Sequence, residues 1–273
     1  MLQTSDPNAV NQSCVPETIS HPAVAAFNTL AARYDELWTH TTVGRLQRDA
    51  VWRRLDGLFE CGQSLLDLGC GTGEDALHFA RLGMRVRAID SSPEMVLLAR
   101  QRGVDAATLP IEDVHSITES FDHAISNFGA LNCVADLGAL SGHLARLVCP
   151  GGYLAVCIMG RFCLWETAWY LLRGKPRKAS RRWRAERVTA SFRVRIHHFS
   201  VSQLDQAFRS NFTMVDWCGI GLTVPPSRIS GVPDPLLRVF GSLDRHLAHW
   251  PGLRAAADHR LAIFQRNGKR GTA

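Results

Sequence analysis

An acid and three glycines are the residues of this chain most plainly spaced for chemistry. In Leu65-Leu66-Asp67-Leu68-Gly69-Cys70-Gly71-Thr72-Gly73-Glu74-Asp75 a short apolar run carries Asp67, and Gly69, Gly71 and Gly73 follow at alternate positions. Glycine accepts the positive φ of a tight turn and has no side chain to hold a ligand off the backbone. Ala76, Leu77, Phe79, Ala80 and Leu82 then take helical spacing, so the stretch predicts strand, turn and helix. The start of such a helix presents unpaired N–H groups to whatever occupies the turn. A second acid, Asp90, closes the run Met84 to Ile89, 23 residues after Asp67. In nucleotide-binding α/β folds an acid at the end of the second strand, about 20 residues beyond the glycine turn, accepts from ribose hydroxyls. Glu74 stands where the dinucleotide pattern G-x-G-x-x-G needs glycine, and no P-loop lysine follows.

These residues need elements to hold them. Val24, Phe27, Leu30, Ala31, Tyr34, Leu37 and Trp38 predict a helix from His21, and Val43 to Phe59 predicts a second. The first two strands are Ser64 to Leu68 and Met84 to Asp90. Ser91-Ser92-Pro93-Glu94-Met95 then opens a helix with proline in its first turn. A weak strand, Asp105 to Leu109, leads to Pro110-Ile111-Glu112-Asp113. Phe121 to Asn132 is a fourth strand and its exit. Ligands of open α/β sheets lie beyond the carboxyl ends of the strands, so Ser126, Asn127, Phe128 and Asn132 are expected to border the reacting position. Ala135 to Val148 is a crossover helix, and Pro150-Gly151-Gly152 leads into the strand Tyr153 to Ile158. Further on, Arg193 to Phe199 alternates like a strand, Ser202 is placed to cap a helix through Phe208, and Phe212 to Trp217 is a strand. Gly219 to Ser227 is an apolar, proline-stiffened loop, Leu236 to His249 a helix, and His259 to Gln265 the final strand.

Composition bounds the function. A chain of 273 residues buries a core without disulfides. Its eight cysteines form no C-x-x-C pair and no H-E-x-x-H occurs, which argues against a metal site and for reduced thiols in a cytoplasmic protein. No apolar run is long enough to span a membrane, and Met1 to Ser20, read as a disordered lead-in, lacks the pattern of a secretory signal. The net charge of +6 is local. Arg173 to Arg187 holds eight basic residues and one acid, and the remainder carries 23 basic and 24 acidic residues. That confinement argues against a nucleic-acid-coated surface. It leaves the aromatic and basic segment 161–187 as a place for an anionic substrate or for peripheral contact with a membrane.

The glycine turn with its preceding acid resembles motif I of the class I S-adenosylmethionine (SAM) methyltransferases. Asp90, the exit of the fourth strand and Pro150-Gly151-Gly152 extend the resemblance over about Phe27 to Gly160. The core is similar to the quinone-biosynthesis methyltransferases of the methyltransferase type 11 branch. The resemblance implies a Rossmann-like, doubly wound α/β sheet of seven strands with the last antiparallel, a helical N-terminal cap and a lid insertion after the fifth strand. The implied boundaries are 1–20 for the lead-in, 21–62 for the cap, 63–160 for the SAM-binding core, 161–200 for the lid and 201–273 for the rest of the sheet, with 21–273 a single domain.

It also implies roles. Asp67, Gly69, Cys70, Gly71, Thr72 and Gly73 form the turn around SAM. Asp90 and Ser91 serve the ribose, and Met95 lies on adenine. Ile111 and Glu112, or Asp113, meet the adenine edge, and Asn127 lies near the methyl. Tyr34 with Arg48, or Arg45, closes over the methionine end, and Arg48 is chosen for its carboxylate. No side chain declares itself a base. His197, His198 and His259 are candidates by their titration range, and His198 and Asn132 are taken as the catalytic pair. The expected function is methyl transfer by SN2 displacement to a small, hydrophobic or anionic acceptor. The alternatives are a methyltransferase gripping RNA or protein through Arg173 to Arg187, and a non-catalytic SAM-binding protein. The oligomeric state is open.

Overall fold

The apolar runs become strands of one sheet covered by helices on both faces, described here for residues 22–183, 186–188, 195–229 and 231–268 of a computed structural model. β1 (Ser64–Leu68), β2 (Arg85–Asp90), β3 (Asp105–Thr108), β4 (His123–Ser126) and β5 (Tyr153–Met159) pair in parallel. A short antiparallel pair, β6 (Glu186–Val188) and β7 (Arg195–His197), stands apart. β8 (Phe212–Ile220) and β9 (His259–Arg266) complete seven strands in the order β3-β2-β1-β4-β5-β9-β8, with β9 antiparallel to both neighbours. The sheet is Rossmann-like and doubly wound, with its last strand reversed as expected.

Successive side chains along a strand point to opposite faces. Leu66 and Leu68 of β1 therefore join Ile89, Leu154, Val156, Phe208 and Phe264 in one core, while Leu65 joins Phe79, Ile125, Ala155, Leu261 and Ile263 in the other. Strands covered on both faces read as nearly continuous apolar runs. α1 (Pro22–Tyr34), α2 (Thr42–Leu55), α3 (Glu74–Arg81), α4 (Pro93–Gln101) and α5 (Leu137–Leu147) precede α6 (Leu164–Leu172), α7 (Pro176–Ala179), α8 (Val201–Phe208) and α9 (Asp234–Leu247).

Several boundaries differ from the sequence reading for local reasons. The first helix passes into a π-helical turn, Asp35–Thr39, which breaks its register before Trp38. α2 stops at Leu55 rather than Phe59: the Leu58 and Phe59 amides both bond back to the Leu55 carbonyl, and the Phe59 ring tucks under the sheet. α8 is capped by Ser200, not Ser202. Ser200 accepts from the Gln203 amide while the Gln203 side chain accepts from the Ser200 amide, a capping box. α9 begins at Asp234, with a proline in its first turn. The strand read over Arg193 to Phe199 is described only at Arg195–His197, and the lead-in 1–20 lies outside the described residues.

The basic segment divides. Arg173, Lys175, Arg177 and Lys178 are exposed, with the Arg173 guanidinium 3.7 Å from the Trp169 ring centre. Arg181 and Arg182 turn inward to the buried Glu166 of α6. The side chains of Arg184 and Arg187 lie outside the described residues. Among those residues no helix is long and apolar enough to cross a membrane, no group of His, Cys, Asp and Glu is placed to hold a metal, and seven cysteines are free.

The central strands should dominate stability. Leu66→Ala, at a fully buried position of β1, should cost about 2–5 kcal/mol, lowering the urea midpoint at an unchanged slope. Leu172→Ala, 87% exposed, should stay within about 0.5 kcal/mol. Comparable losses in the two variants would contradict this placement of the core.

Candidate active site

The glycine turn leaves β1 with Gly69, Gly71 and Gly73 all at positive φ. Gly69 is excluded from larger residues twice over. Its φ is +77°, and a Cβ there would come within 2.3 Å of the Ala130 methyl. A Cβ on Gly71 would meet nothing closer than Tyr34, at 4.0 Å, so this glycine opens onto free space. That space is a cavity of about 230 Å³. Gly69, Gly71, Asp90, Ser91, Met95, Ile111, Glu112 and Asn127 line it from the sheet side, and Tyr34 from the cap. The sequence reading had named all nine.

Asp90 is set by its backbone neighbours. Its Oδ2 accepts from the Gly71 amide and its Oδ1 from the Ser92 amide, each at 2.8 Å. Burial raises its pKa, and these two donors oppose the rise. Ser92 caps α4 by accepting from the Met95 amide, and its hydroxyl donates to Asn28 of α1 at 2.6 Å. Cap and sheet thus meet directly above the Asp90 carboxylate.

Other named residues stand behind the wall. Arg48 does not line the cavity. Its Nη1 donates to Asp75 Oδ2 at 2.5 Å, and its guanidinium lies 5.1 Å from the Phe128 ring centre. Asp67 is buried beneath the turn, and its Oδ2 has no hydrogen-bond partner. Burial and then the nearby Asp75 raise its pKa well above the usual carboxylate range. Thr72 donates to Asp35 at 2.7 Å, so it fastens the π turn to the glycine turn. Cys70 is buried, and Gly73 caps α3. Asn132, read as catalytic, is fully engaged by backbone: it accepts from the Met159 amide at 2.8 Å and donates to the carbonyls of Met159 and His197. His198 is buried outside the lining.

The sequence reading missed the roof and the far wall. Ala26, Phe27 and Leu30 of α1 cover the cavity, and Cys133, Val134, Met159 and Ile196 close it beyond Asn127 and Phe128, the latter expected there. The spacing of Phe27, Leu30 and Tyr34 along one helix face was the available signal. Burial, and then the Glu112 charge, raise the Cys133 thiol to about 11, so it is protonated at neutral pH. Phe128 is the one non-glycine residue at positive φ among those described, at +48°. Trp38 and His259 pack edge-on to its ring at 5.5 and 5.4 Å.

The donors and acceptors of the cavity fit an adenosyl group. An acid at hydroxyl level, apolar slabs at Met95 and Ile111, a second acid at Glu112 and a floor opened by Gly71 stand in one wall. His259 lies outside that wall. Burial lowers its imidazole to about 4, although Asp258 pulls upward.

An unfolded histidine holds its proton below about pH 6.5. Between that value and about 4, unfolding takes up a proton at position 259, so stability rises with pH across the window by up to ~1.4 kcal/mol per unit. This contribution is complete above the window and is lost as pH falls through it. His259→Gln lacks it. The stability difference between wild type and His259→Gln, from urea melts, should therefore shrink from pH 7 to pH 4.5; a constant difference would refute the buried neutral imidazole.

Comparison with known proteins agrees with this geometry. Residues 66–156 match a family model described as a methyltransferase domain. A demethylmenaquinone methyltransferase of Mycobacterium sp. (strain JLS) is 36% identical over 146 residues, covering 50% of this chain and 59% of that protein. A ubiquinone biosynthesis O-methyltransferase of Xanthomonas oryzae pv. oryzae (strain PXO99A) is 35% identical over 119 residues, 41% of this chain and 48% of the relative. The chain thus spans about half to three fifths of the length of these curated relatives. The N-methyltransferase NodS from Bradyrhizobium japonicum WM9, solved with S-adenosyl-L-homocysteine, shares the fold with a TM-score of 0.56 at 15% identity, covering 91% of this chain and 100% of that one. Motif, sheet order and matched domain converge: residues 66–156 carry a methyltransferase domain, set in a Rossmann-like sheet, whose cofactor is S-adenosylmethionine.

Proposed function

We propose that the protein transfers the methyl group of SAM to a small-molecule acceptor. The observation that carries this reading is the cavity itself, which joins the glycine turn, Asp90 and Glu112 on one side to an apolar far wall on the other. Bound SAM supplies an electrophilic methyl for SN2 displacement. In this reading Asp90 accepts from the ribose hydroxyls, Met95 and Ile111 sandwich the adenine, and Glu112 accepts from its amino group. Tyr34, Phe27 and Leu30 cover the site and exclude water. Burial raises the Tyr34 phenol to about 12, with Arg48 opposing, so it stays neutral and donates. Holding a nucleophile in line with the methyl supplies much of the acceleration, which is the task of a closed and mostly apolar wall.

No imidazole stands among the described lining residues. That composition suits an acceptor whose nucleophilic atom is already unprotonated at neutral pH, because a general base is needed only where the proton is held tightly. We assign residues 21–62 as a cap and 161–200 as a lid, on the grounds that α1 covers the cavity and Ile196 lines it. The relatives named for demethylmenaquinone and ubiquinone biosynthesis support a small acceptor. A macromolecular acceptor gripped by Arg173 to Arg187 is less well supported, since Arg181 and Arg182 face inward.

Asp90→Ala should weaken S-adenosyl-L-homocysteine binding at least tenfold by calorimetry, about 1.4 kcal/mol or more, while thermal unfolding stays cooperative. Unchanged affinity would remove Asp90 from the ribose. Methyl label supplied as SAM to a cell extract with the protein should enter the low-mass fraction; label confined to RNA or protein would overturn the small-molecule acceptor.

A further inference from the structure

Four guanidinium groups meet where the segment after β5 packs on the start of β9. Glu166 of α6 accepts from Arg181 and from Arg182, and it lies 3.6 Å from Arg228 Nη1. Arg182 also donates to Asp258, at 2.6 Å to Oδ1 and 3.0 Å to the carbonyl. Arg260 packs its guanidinium into the space that a side chain at Gly160 would fill, and donates to the carbonyls of Phe162 and Ala255. Glu166, Arg182, Asp258 and Arg260 are all buried.

Four positive charges therefore face two carboxylates among the described residues. His259 adds no charge at neutral pH, because burial keeps its imidazole unprotonated. Two of the donors are idle: Arg260 Nη1 and Arg181 Nη2 are buried with no hydrogen-bond partner. A guanidinium removed from water needs a counter-charge and partners for its N–H groups. Burial and the adjacent Arg182 charge lower Arg260 to about 10, while the Arg182 and Arg228 guanidiniums hold Asp258 at about 2 against its burial. The neighbourhood is short of negative charge.

Its position ties this deficit to the cavity. Across the β5–β9 pair, Met159 faces His259 and Ile158 faces Arg260. Met159 lines the cavity on the wall opposite Asp90 and Met95. The cluster thus lies at the ligand end of the sheet, on the side away from the adenosyl wall. Arg228, its side chain 40% exposed, opens the cluster to solvent, and Arg181 is next in exposure.

We infer that the methyl acceptor carries an anionic group, a carboxylate or a phosphate, and that Arg228, with Arg181, holds it at the junction of α6 and β9, the buried Arg260 adding its uncompensated charge from behind. The inference rests on the methyltransferase reading and adds the class of acceptor. A guanidinium fork matches either anion by two parallel N–H···O bonds. Anchored there, the acceptor would reach its nucleophilic atom toward the apolar wall at Met159.

The test uses the full chain saturated with S-adenosyl-L-homocysteine. Inorganic phosphate and benzoate are titrated, with sodium chloride at matched ionic strength as reference, and the melting temperature and binding heat are followed. Phosphate or benzoate should raise the melting temperature by at least 2 °C beyond chloride, roughly the shift of a modest ligand-binding linkage. Arg228→Gln should weaken that anion at least tenfold, Arg228→Lys should retain part of the binding, and both should bind S-adenosyl-L-homocysteine within about twofold of wild type. Arg181→Gln gives a second variant outside the deepest part of the cluster. A wild-type response no greater than chloride, or one undiminished in Arg228→Gln and Arg181→Gln, would overturn the inference, because a cluster that only ties α6 to β9 would move stability and leave anion affinity alone. Failure to bind S-adenosyl-L-homocysteine would instead count against the methyltransferase reading, whatever the anions do.

Discussion

The carboxylate of Asp75 holds the two halves of the site together. It sits in the first turn of α3, where a helix favours negative charge. It accepts from Arg48 and Trp52 of α2 and from Asn127 at the exit of β4. A buried guanidinium is tolerated only with a counter-charge, and removing one partner of such a pair leaves a charge stranded in low dielectric. Arg48 in turn lies against Phe128, whose left-handed backbone is costly for a bulky residue and persists because its ring is boxed by Trp38, Arg48 and His259. One carboxylate therefore sets the entry of the cap helices, the turn after β4 and the far wall of the cavity.

A second tether works at the other end of the cap. Asp35, in the π turn, accepts from Thr72 of the glycine turn and from Arg102 after α4, and Arg102 also donates to Glu74. A π turn inside an α-helix marks functional sites more often than it marks chance. Here it rotates Trp38 toward Phe128 while leaving Tyr34 over the cavity. Tyr34 and Trp38, four residues apart in sequence, are thereby assigned to different layers of the site.

What could be read from the sequence was what is local. The glycine turn, Asp90 and Ser91, Met95, and Ile111 with Glu112 follow one another along the chain, and each carries its own turn or cap chemistry. Asp75 was invisible as a hub because its three donors come from 23 to 52 residues away. Arg48 was chosen for the SAM carboxylate for the same reason, its partner Asp75 lying 27 residues on. Asn132 looked reactive by its place after β4, but its amide is consumed in fastening Met159 to His197. Arg181 and Arg182 were read as part of a basic segment for an anionic substrate or a membrane surface, since nothing nearby in sequence announced Asp258, 76 residues after Arg182. Ser200 and Ser202 differ as caps only through the side chain of Gln203, a choice that a hydroxyl count does not make.

The reversed direction of β9 has a consequence for how the molecule is made. Glu112, the last of the adenosyl-side acids, precedes His259 by 147 residues. During vectorial synthesis the wall that holds Asp90 and Glu112 can assemble from β1 to β4 while the last two strands of the sheet are still missing. Through that interval β5, apolar along almost its whole length, has only one neighbour and stands as an open sheet edge. Such an edge invites pairing with the wrong chain until β9 slots between β5 and β8. The strand that carries His259 and Arg260 is thus also the one that seals the sheet, so the arrival of the last strand and escape from aggregation are a single event.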